Sequence, residues 1–324
     1  MKGSSTLKHR LSVPVLDFVE NARQALGLEI VIGHGGMGRR ISEAAINRCG
    51  LALAGFFNYF AYKRIQVIGA AEQSYLMSLT ADERKSRLKD FCAKKVPCIV
   101  ITRNQKTPRE LSALSEELQI PVLRTKMITK NFVNAATIIM ENLMAPRMMI
   151  QGTMVEIMGI GVLIEGKPAM GKSETALGLI KRGHALVSDD VTALRLDSSG
   201  SLIGSPVNVT RYHMEIRGLG IIHIPSLFGV ASVREEKKLD LVATLCDPVT
   251  WAREDSRGTV AATKEILGGK IPQILIPVAP GRDLANIIET AALNQKLRRL
   301  GHDAAKELDE KLMALMSDGR NASE

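Results

Sequence analysis

Gly166-Lys167-Pro168-Ala169-Met170-Gly171-Lys172-Ser173 is the stretch on which the reading of the fold turns. It fits GxxxxGK[ST]. Strand-like Gly161 to Ile164 precedes it and a helical run, Ser173 to Arg182, follows, which is the context a phosphate-binding loop requires. Backbone N–H groups of such a loop and the helix N-terminus face phosphates. Lys172 reaches the β- and γ-phosphates, and the Ser173 hydroxyl ligates Mg²⁺. Seventeen residues after Ser173, an apolar strand, Ala185 to Ser188, ends in Asp189-Asp190. Two carboxylates there have a natural division of work: one holds Mg²⁺, directly or through water, and the other accepts the proton of an attacking hydroxyl. A polar strand exit or a helix cap is the plainer alternative.

Outward from the loop, Met154 to Met158 and Ile274 to Val278 read as strands of the same domain. Residues 196–212 read as strand and turn, with the turn at Asp197-Ser198-Ser199-Gly200. Helical spacing runs from Leu284 onward and again over Ala304 to Met316. Upstream, strand-like runs at Leu28 to Ile32, Arg64 to Gly69, Val96 to Thr102 and Ile120 to Leu123 alternate with helical runs at Pro108 to Leu118 and Val133 to Leu143. That alternation predicts an α/β domain with a mostly parallel sheet. Ala145-Pro146-Arg147 breaks the pattern, because proline disfavours helix before it. The expected organisation is therefore α/β in two domains, residues 1–146 and 147–324.

The 324 residues are about two domains' worth of chain at roughly 150 residues per domain. Hydrophobic residues at 45% and charged residues at 24% exclude wholesale disorder. Aromatics at 4% argue against a nucleic-acid stacking platform. The net charge of +9 suits an anionic partner, but the basic residues are scattered, as on a solvated surface. No apolar run approaches the roughly 20 residues of a membrane span, and no signal-peptide pattern follows the basic N-terminus. The four cysteines form no CxxC pair. A reduced, cytoplasmic protein with neither a nucleic-acid nor a membrane partner is expected. Gly33-His34-Gly35-Gly36-Met37-Gly38 fits GxGxxG, but no Asp or Glu occurs between Glu43 and Glu72 to hold a ribose, so it reads as a flexible glycine-rich turn.

Met214-Glu215-Ile216-Arg217-Gly218-Leu219-Gly220-Ile221-Ile222, taken with the loop, resembles bacterial HPr kinase/phosphorylase, whose signature reads close to EIRGLGIID. Gly171 to Gly178, Lys181 to His184, Asp189-Asp190-Val191, Leu51 to Tyr62, Pro97 to Arg103, Ile120 to Thr125 and Pro277 to Arg282 look similar as well. The resemblance covers roughly residues 40 to 315. It implies a cytoplasmic enzyme that uses ATP and Mg²⁺ to phosphorylate a serine of HPr, the phosphocarrier of the sugar phosphotransferase system. It also implies removal of that phosphate by inorganic phosphate, releasing pyrophosphate, in the control of carbon use. A homohexamer and a catalytic domain like that of phosphoenolpyruvate carboxykinase are implied too.

Carried over by position, Lys172 neutralises charge on the transferring group, and Ser173 and Glu215 are Mg²⁺ ligands. Asp190 is the base, Asp189 supports the metal or orients Asp190, and Arg257 matches the catalytic arginine. The N-terminal domain would have a regulatory or assembly role. His213 is a candidate for the wall of the site, and His184 for a helix-end contact.

The chain departs from the family pattern at four places. Gln151 stands where the family has His, so any titrating role there is lost. His223 replaces the signature's closing Asp. The late segment linked to dephosphorylation reads Pro277-Val278-Ala279-Pro280-Gly281-Arg282, with alanine where an arginine could clamp phosphate. Within the loop, Pro168 has no N–H to offer and Ala169 tolerates positive φ poorly. The expected consequence is a kinase whose phosphorylase activity is weakened. A non-catalytic nucleotide-binding regulator of the same fold, and a kinase acting on another substrate, are the competing readings.

Overall fold

The computed structural model describes residues 12–255 and 262–303, together with residues 307, 308, 310 and 313. The chain divides into two compact units at Pro146/Arg147.

In the first unit a five-stranded sheet runs in the order Glu29–Ile32, Val122–Arg124, Ile99–Ile101, Gln66–Ile68, Asn47–Arg48. Its last four strands are parallel and Glu29–Ile32 is antiparallel at the edge. Successive strand residues alternate between two apolar layers, as the period of two demands. Val67, Val100 and Leu123 meet the helices Val15–Leu26 and Thr129–Met144. Ile68, Ile99, Ile101 and Val122 face the layer built on Leu76, Leu88, Phe91 and Leu111. Three helices here, Val15–Leu26, Ala70–Ser78 and Ala81–Cys92, were not legible as such. Ala81–Cys92 carries so many charges that only Leu88, Phe91 and Cys92 mark its buried side.

The glycine-rich run forms a short 3₁₀ turn, His34–Gly36, pressed against Gln119 to Pro121. A Cβ on Gly36 would stand 2.0 Å from the Gln119 carbonyl oxygen. Close backbone approach thus accounts for glycine here. Gly36→Ala is expected to destabilise this unit by about 2–3 kcal/mol, the range of overpacking. A urea titration that leaves the midpoint unmoved would contradict this packing.

The second unit contains a six-stranded sheet in the order Ala185–Ser188, Thr153–Ile157, Ile160–Gly166, Leu241–Cys246, Gly269–Pro277, Thr263–Ile266. Thr153–Ile157 is antiparallel to both its neighbours, so Ala185–Ser188 and Ile160–Gly166 run the same way. Leu241–Cys246 and Gly269–Pro277 are parallel to them. Four strands therefore end on one edge, where ligands of α/β sheets characteristically bind. One face of the sheet, with Val162, Ile164, Leu241, Ala243 and Leu245, packs on the helices Lys172–Lys181 and Leu284–Arg299. The other face, with Leu163 and Val242, meets a four-stranded antiparallel sheet through Leu194 and Leu202. Fully burying side chains of this size is worth roughly 1.5–3 kcal/mol each.

The central strand Leu241–Cys246 escaped the sequence reading, although its uninterrupted apolar run before Asp247-Pro248 is the pattern of a strand buried on both faces. All four cysteines are free and buried. Among the described residues no helix is long and apolar enough to cross a membrane. The expected terminal helix, Ala304 to Met316, falls largely outside the described residues.

Candidate functional site

Strand Ile160–Gly166 leads directly into the loop, and helix Lys172–Lys181 leaves it. Gly166 lies so close to the neighbouring strand that a Cβ would stand 2.8 Å from the Leu245 carbonyl oxygen. Gly171 caps the helix at φ 81° with no side-chain hydrogen bond to the first turn. Those first amides have no partner inside the helix, and their dipoles favour an anion. Ala169 is held at φ 69°, a conformation that disfavours a Cβ by roughly 1–2 kcal/mol. The loop thus keeps the backbone path that glycine would take more easily.

Lys172 rests its ammonium on the carbonyl oxygens of Gly166 and Lys167, at 3.2 and 3.3 Å. Met170 packs against the apolar core and anchors the loop there. Lys167 faces Asp247 at 3.4 Å. Hydrogen bonds from the amide and hydroxyl of Thr250 hold the Asp247 carboxyl down at about 2, with Lys167 adding to them. The side chains of Met170 and Lys167 therefore do not join the cavity wall.

The two aspartates at the end of Ala185–Ser188 part company. Asp189 is buried, and its Oδ1 accepts hydrogen bonds from Ser173 Oγ (2.9 Å) and Thr153 Oγ1 (2.8 Å). Burial raises its pKa on balance, and the two hydroxyls and the backbone amides of Asp190 and Glu215 offset only part of that rise. Asp190 turns outward, at φ 61°, where aspartate is less penalised than most residues. Its carbonyl is pinned by the Gly152 amide at 2.8 Å, which fixes the direction of the side chain. Among the described residues, no hydrogen bond ties up the Asp190 carboxylate.

The signature run is a β-hairpin. Strands His213–Ile216 and Gly220–His223 pair antiparallel, with Glu215 opposite Ile221 and His213 opposite His223. Met214 is buried in the core beside Ile216 and Ile222, which root the hairpin. The alternation leaves Glu215 and Arg217 on its open side. A cavity of about 430 Å³ lies between these pieces. Gly166, Pro168, Ala169, Gly171, Lys172 and Ser173 form one wall, with Gln151, Asp189 and Asp190 beside them. Met214, Glu215, Arg217 and Ile221 of the hairpin face them. Thr210, His213 and Glu174 also line it. His213 was anticipated there; Thr210 and Glu174 were not singled out as site residues.

Gly218, Leu219, Gly220 and His223 lie outside this wall, as do Pro277 to Arg282. The latter segment leaves the same edge of the sheet two strands over: Gly166 pairs with Leu245, and Cys246 with Pro277. Gly281 at φ 76° and an Arg282 amide bonded to the Ala279 carbonyl shape its turn. Arg257 lies outside the described residues. His184 is buried and bonds Glu289 of helix Leu284–Arg299 at 2.9 Å. The bond ties the segment after helix Lys172–Lys181 to the second turn of helix Leu284–Arg299, and neither residue lines the cavity.

The donor set fits a Mg²⁺ ion. Ser173 gives its hydroxyl proton to Asp189, which leaves its oxygen lone pairs for a cation. Asp189, Ser173 and Glu215 offer oxygens, and Mg²⁺ characteristically takes few protein ligands and completes its shell with water and phosphate.

Two family models match almost the whole chain: the HPr serine kinase N terminus over residues 13–140 and the HPr serine kinase C-terminal domain over residues 142–312. The chain belongs to the HPr serine kinase family. It is thereby a member of a serine kinase/phosphorylase enzyme family. It is 42% identical over 292 residues to the HPr kinase/phosphorylase of Leptospira biflexa, covering 89% of this chain and 90% of that one. It is 39% identical over 295 residues to the HPr kinase/phosphorylase of Bacillus cytotoxicus, covering 90% and 94%. The solved Hpr(Ser) kinase/phosphatase from Coxiella burnetii is 36% identical with a TM-score of 0.44, covering 49% of this chain and 97% of that one. Relative to the family signature the hairpin ends in His223, and Gln151 stands on the cavity wall.

Proposed function

We propose that this chain transfers the γ-phosphoryl group of ATP, with Mg²⁺, to a serine of HPr, and that it returns the phosphate to inorganic phosphate with release of pyrophosphate, in control of carbon metabolism. The observation that carries the reading is the convergence of the 166–173 loop, Asp190 and Glu215 on one cavity. The loop amides and Lys172 hold the phosphates. Mg²⁺, bound by Ser173 and Glu215 with Asp189 behind them, supplies charge neutralisation. Asp190 accepts the serine proton in one direction and returns it in the other. Gln151 sits beside Asp190 and can orient groups by hydrogen bonding without titrating. Arg257 is the proposed catalytic arginine. Residues 147–324 are the proposed catalytic domain, similar to that of phosphoenolpyruvate carboxykinase, and residues 1–146 the proposed regulatory or assembly domain. A cytoplasmic homohexamer completes the reading.

The phosphorylase direction is the weaker one in this proposal. Ala279 follows a strand that ends on the edge bearing the loop, and an arginine there would add a fork for inorganic phosphate. Ala279→Arg is expected to raise phosphorolysis of phospho-HPr about tenfold or more, with little change in the kinase rate. A wild type that already performs phosphorolysis as fast as transfer would refute the weakening. The second reading, a nucleotide sensor without transfer, is favoured only by Pro168 and by Ala169 at φ 69°. The deciding experiment is transfer from γ-labelled ATP to purified HPr. Label on serine supports the enzyme, and ATP binding without label supports the sensor.

A further inference from the structure

His213 and His223 stand directly opposite each other across the signature hairpin, with ring centres 5.0 Å apart. The His213 Nδ1 lies 2.8 Å from the Arg211 carbonyl oxygen. A carbonyl only accepts, so Nδ1 carries the proton and Nε2 of the neutral ring keeps a free lone pair. The His223 Nδ1 lies 2.7 Å from Ser226 Oγ, and the Tyr212 ring packs edge-on against the same imidazole. Each ring is thus fixed through Nδ1 by an oxygen, the arrangement that orients metal-ligating histidines. A tetrahedral ion about 2.0–2.1 Å from one nitrogen of each ring would set the ring centres about 5 Å apart.

We propose that His213 and His223 form a two-imidazole chelate for a borderline divalent cation, Zn²⁺ first, separate from the oxygen-ligated Mg²⁺ position. Imidazole suits Zn²⁺, Ni²⁺ and Cu²⁺, whereas Mg²⁺ prefers oxygen. Among the described residues no group of three or more His, Cys, Asp or Glu side chains could hold a metal ion. Two protein ligands leave the remaining positions to water or to a phosphate oxygen entering the cavity, since His213 is part of the cavity wall. A bound ion would brace the hairpin that carries Glu215 and Arg217.

The test is calorimetric titration of untagged, full-length protein with Zn²⁺ alone, without nucleotide. Its outcome is therefore independent of the reaction proposed above. His213→Gln and His223→Gln are the variants, because glutamine keeps a donor for the Arg211 carbonyl and a partner for Ser226. One Zn²⁺ per chain is expected, weakened at least tenfold by either variant and unchanged by His302→Ala. Cu²⁺-loaded protein should show two coupled nitrogens by electron paramagnetic resonance, and one in each variant. Absence of one-to-one binding, or wild-type affinity in either glutamine variant, would mean an adventitious ion only and overturn the chelate.

Discussion

Asp190→Asn is expected to lower phosphoryl transfer to HPr about 10³-fold while leaving the fold and nucleotide binding intact. The substitution removes a charge and nothing else of structural weight. Asparagine is as tolerant of φ 61° as aspartate, so the backbone keeps its path. The carboxylate accepts no hydrogen bond among the described residues, so no buried partner is orphaned. A positioned general base contributes typically 10²–10⁴-fold. Because one group would take the serine proton forward and return it in reverse, both half-reactions should fall together. Single-turnover transfer from γ-labelled ATP, run beside a thermal melt and a nucleotide titration, makes the comparison. A variant that keeps a third of the wild-type rate would remove Asp190 from the chemistry. One that loses rate and melting temperature together would make it structural.

The sequence made Asp189 and Asp190 equivalent candidates, and their separation is a result of tertiary structure. Both follow the same apolar strand, which ends at Ser188, and the left-handed backbone of Asp190 at φ 61° turns that residue outward while Asp189 stays buried. Only the positions of Thr153 and Ser173, on two other elements, turn the inward carboxylate into an acceptor of two hydroxyls. The loop itself was legible because its spacing is local: strand, glycine, turn and helix are consecutive. The hairpin was legible as a signature but not as a hairpin. Its turn residues, Arg217-Gly218-Leu219, lack the usual Asn-Gly or Asp-Gly pair, and Gly218 at φ 81° and Gly220 at φ 91° make the reversal.

Three of the four parallel strands of the first unit were found to within a few residues by their short apolar runs, and the two-residue strand Asn47–Arg48, which has no such run, was not. The helix Ala81–Cys92 was missed because its buried stripe is three residues wide amid charge. The strand Leu241–Cys246 was passed over although it separates the loop strand from the strand leading to Ala279. Without it, nothing in the sequence could put Pro277 to Arg282 on the same edge as the loop.

Lys172→Met should give the other large effect, a fall of about 10²–10³-fold in transfer, with a change in unfolding free energy below about 1 kcal/mol. Lys172 starts the helix and sends its ammonium back over the loop, where it meets the carbonyls of Gly166 and Lys167. Both contacts are long and lie at the open side of the cavity, so water replaces the ammonium at little cost. Methionine matches the length of the stem and has comparable helix propensity. What it could not do, in the proposed reaction, is follow the negative charge that moves as the phosphoryl group leaves ATP. A preorganised charge in a confined site is worth far more there than on an open surface, and loss of one such group costs about 10²–10³ in rate. Arginine is no substitute, because its fork cannot occupy the point position of an ammonium above the loop. Lys172→Arg should therefore stay closer to the methionine variant than to wild type. The rate loss should appear chiefly in kcat, with the melting curve superimposable on wild type. A loss confined to KM for ATP would instead assign Lys172 to ground-state nucleotide binding alone.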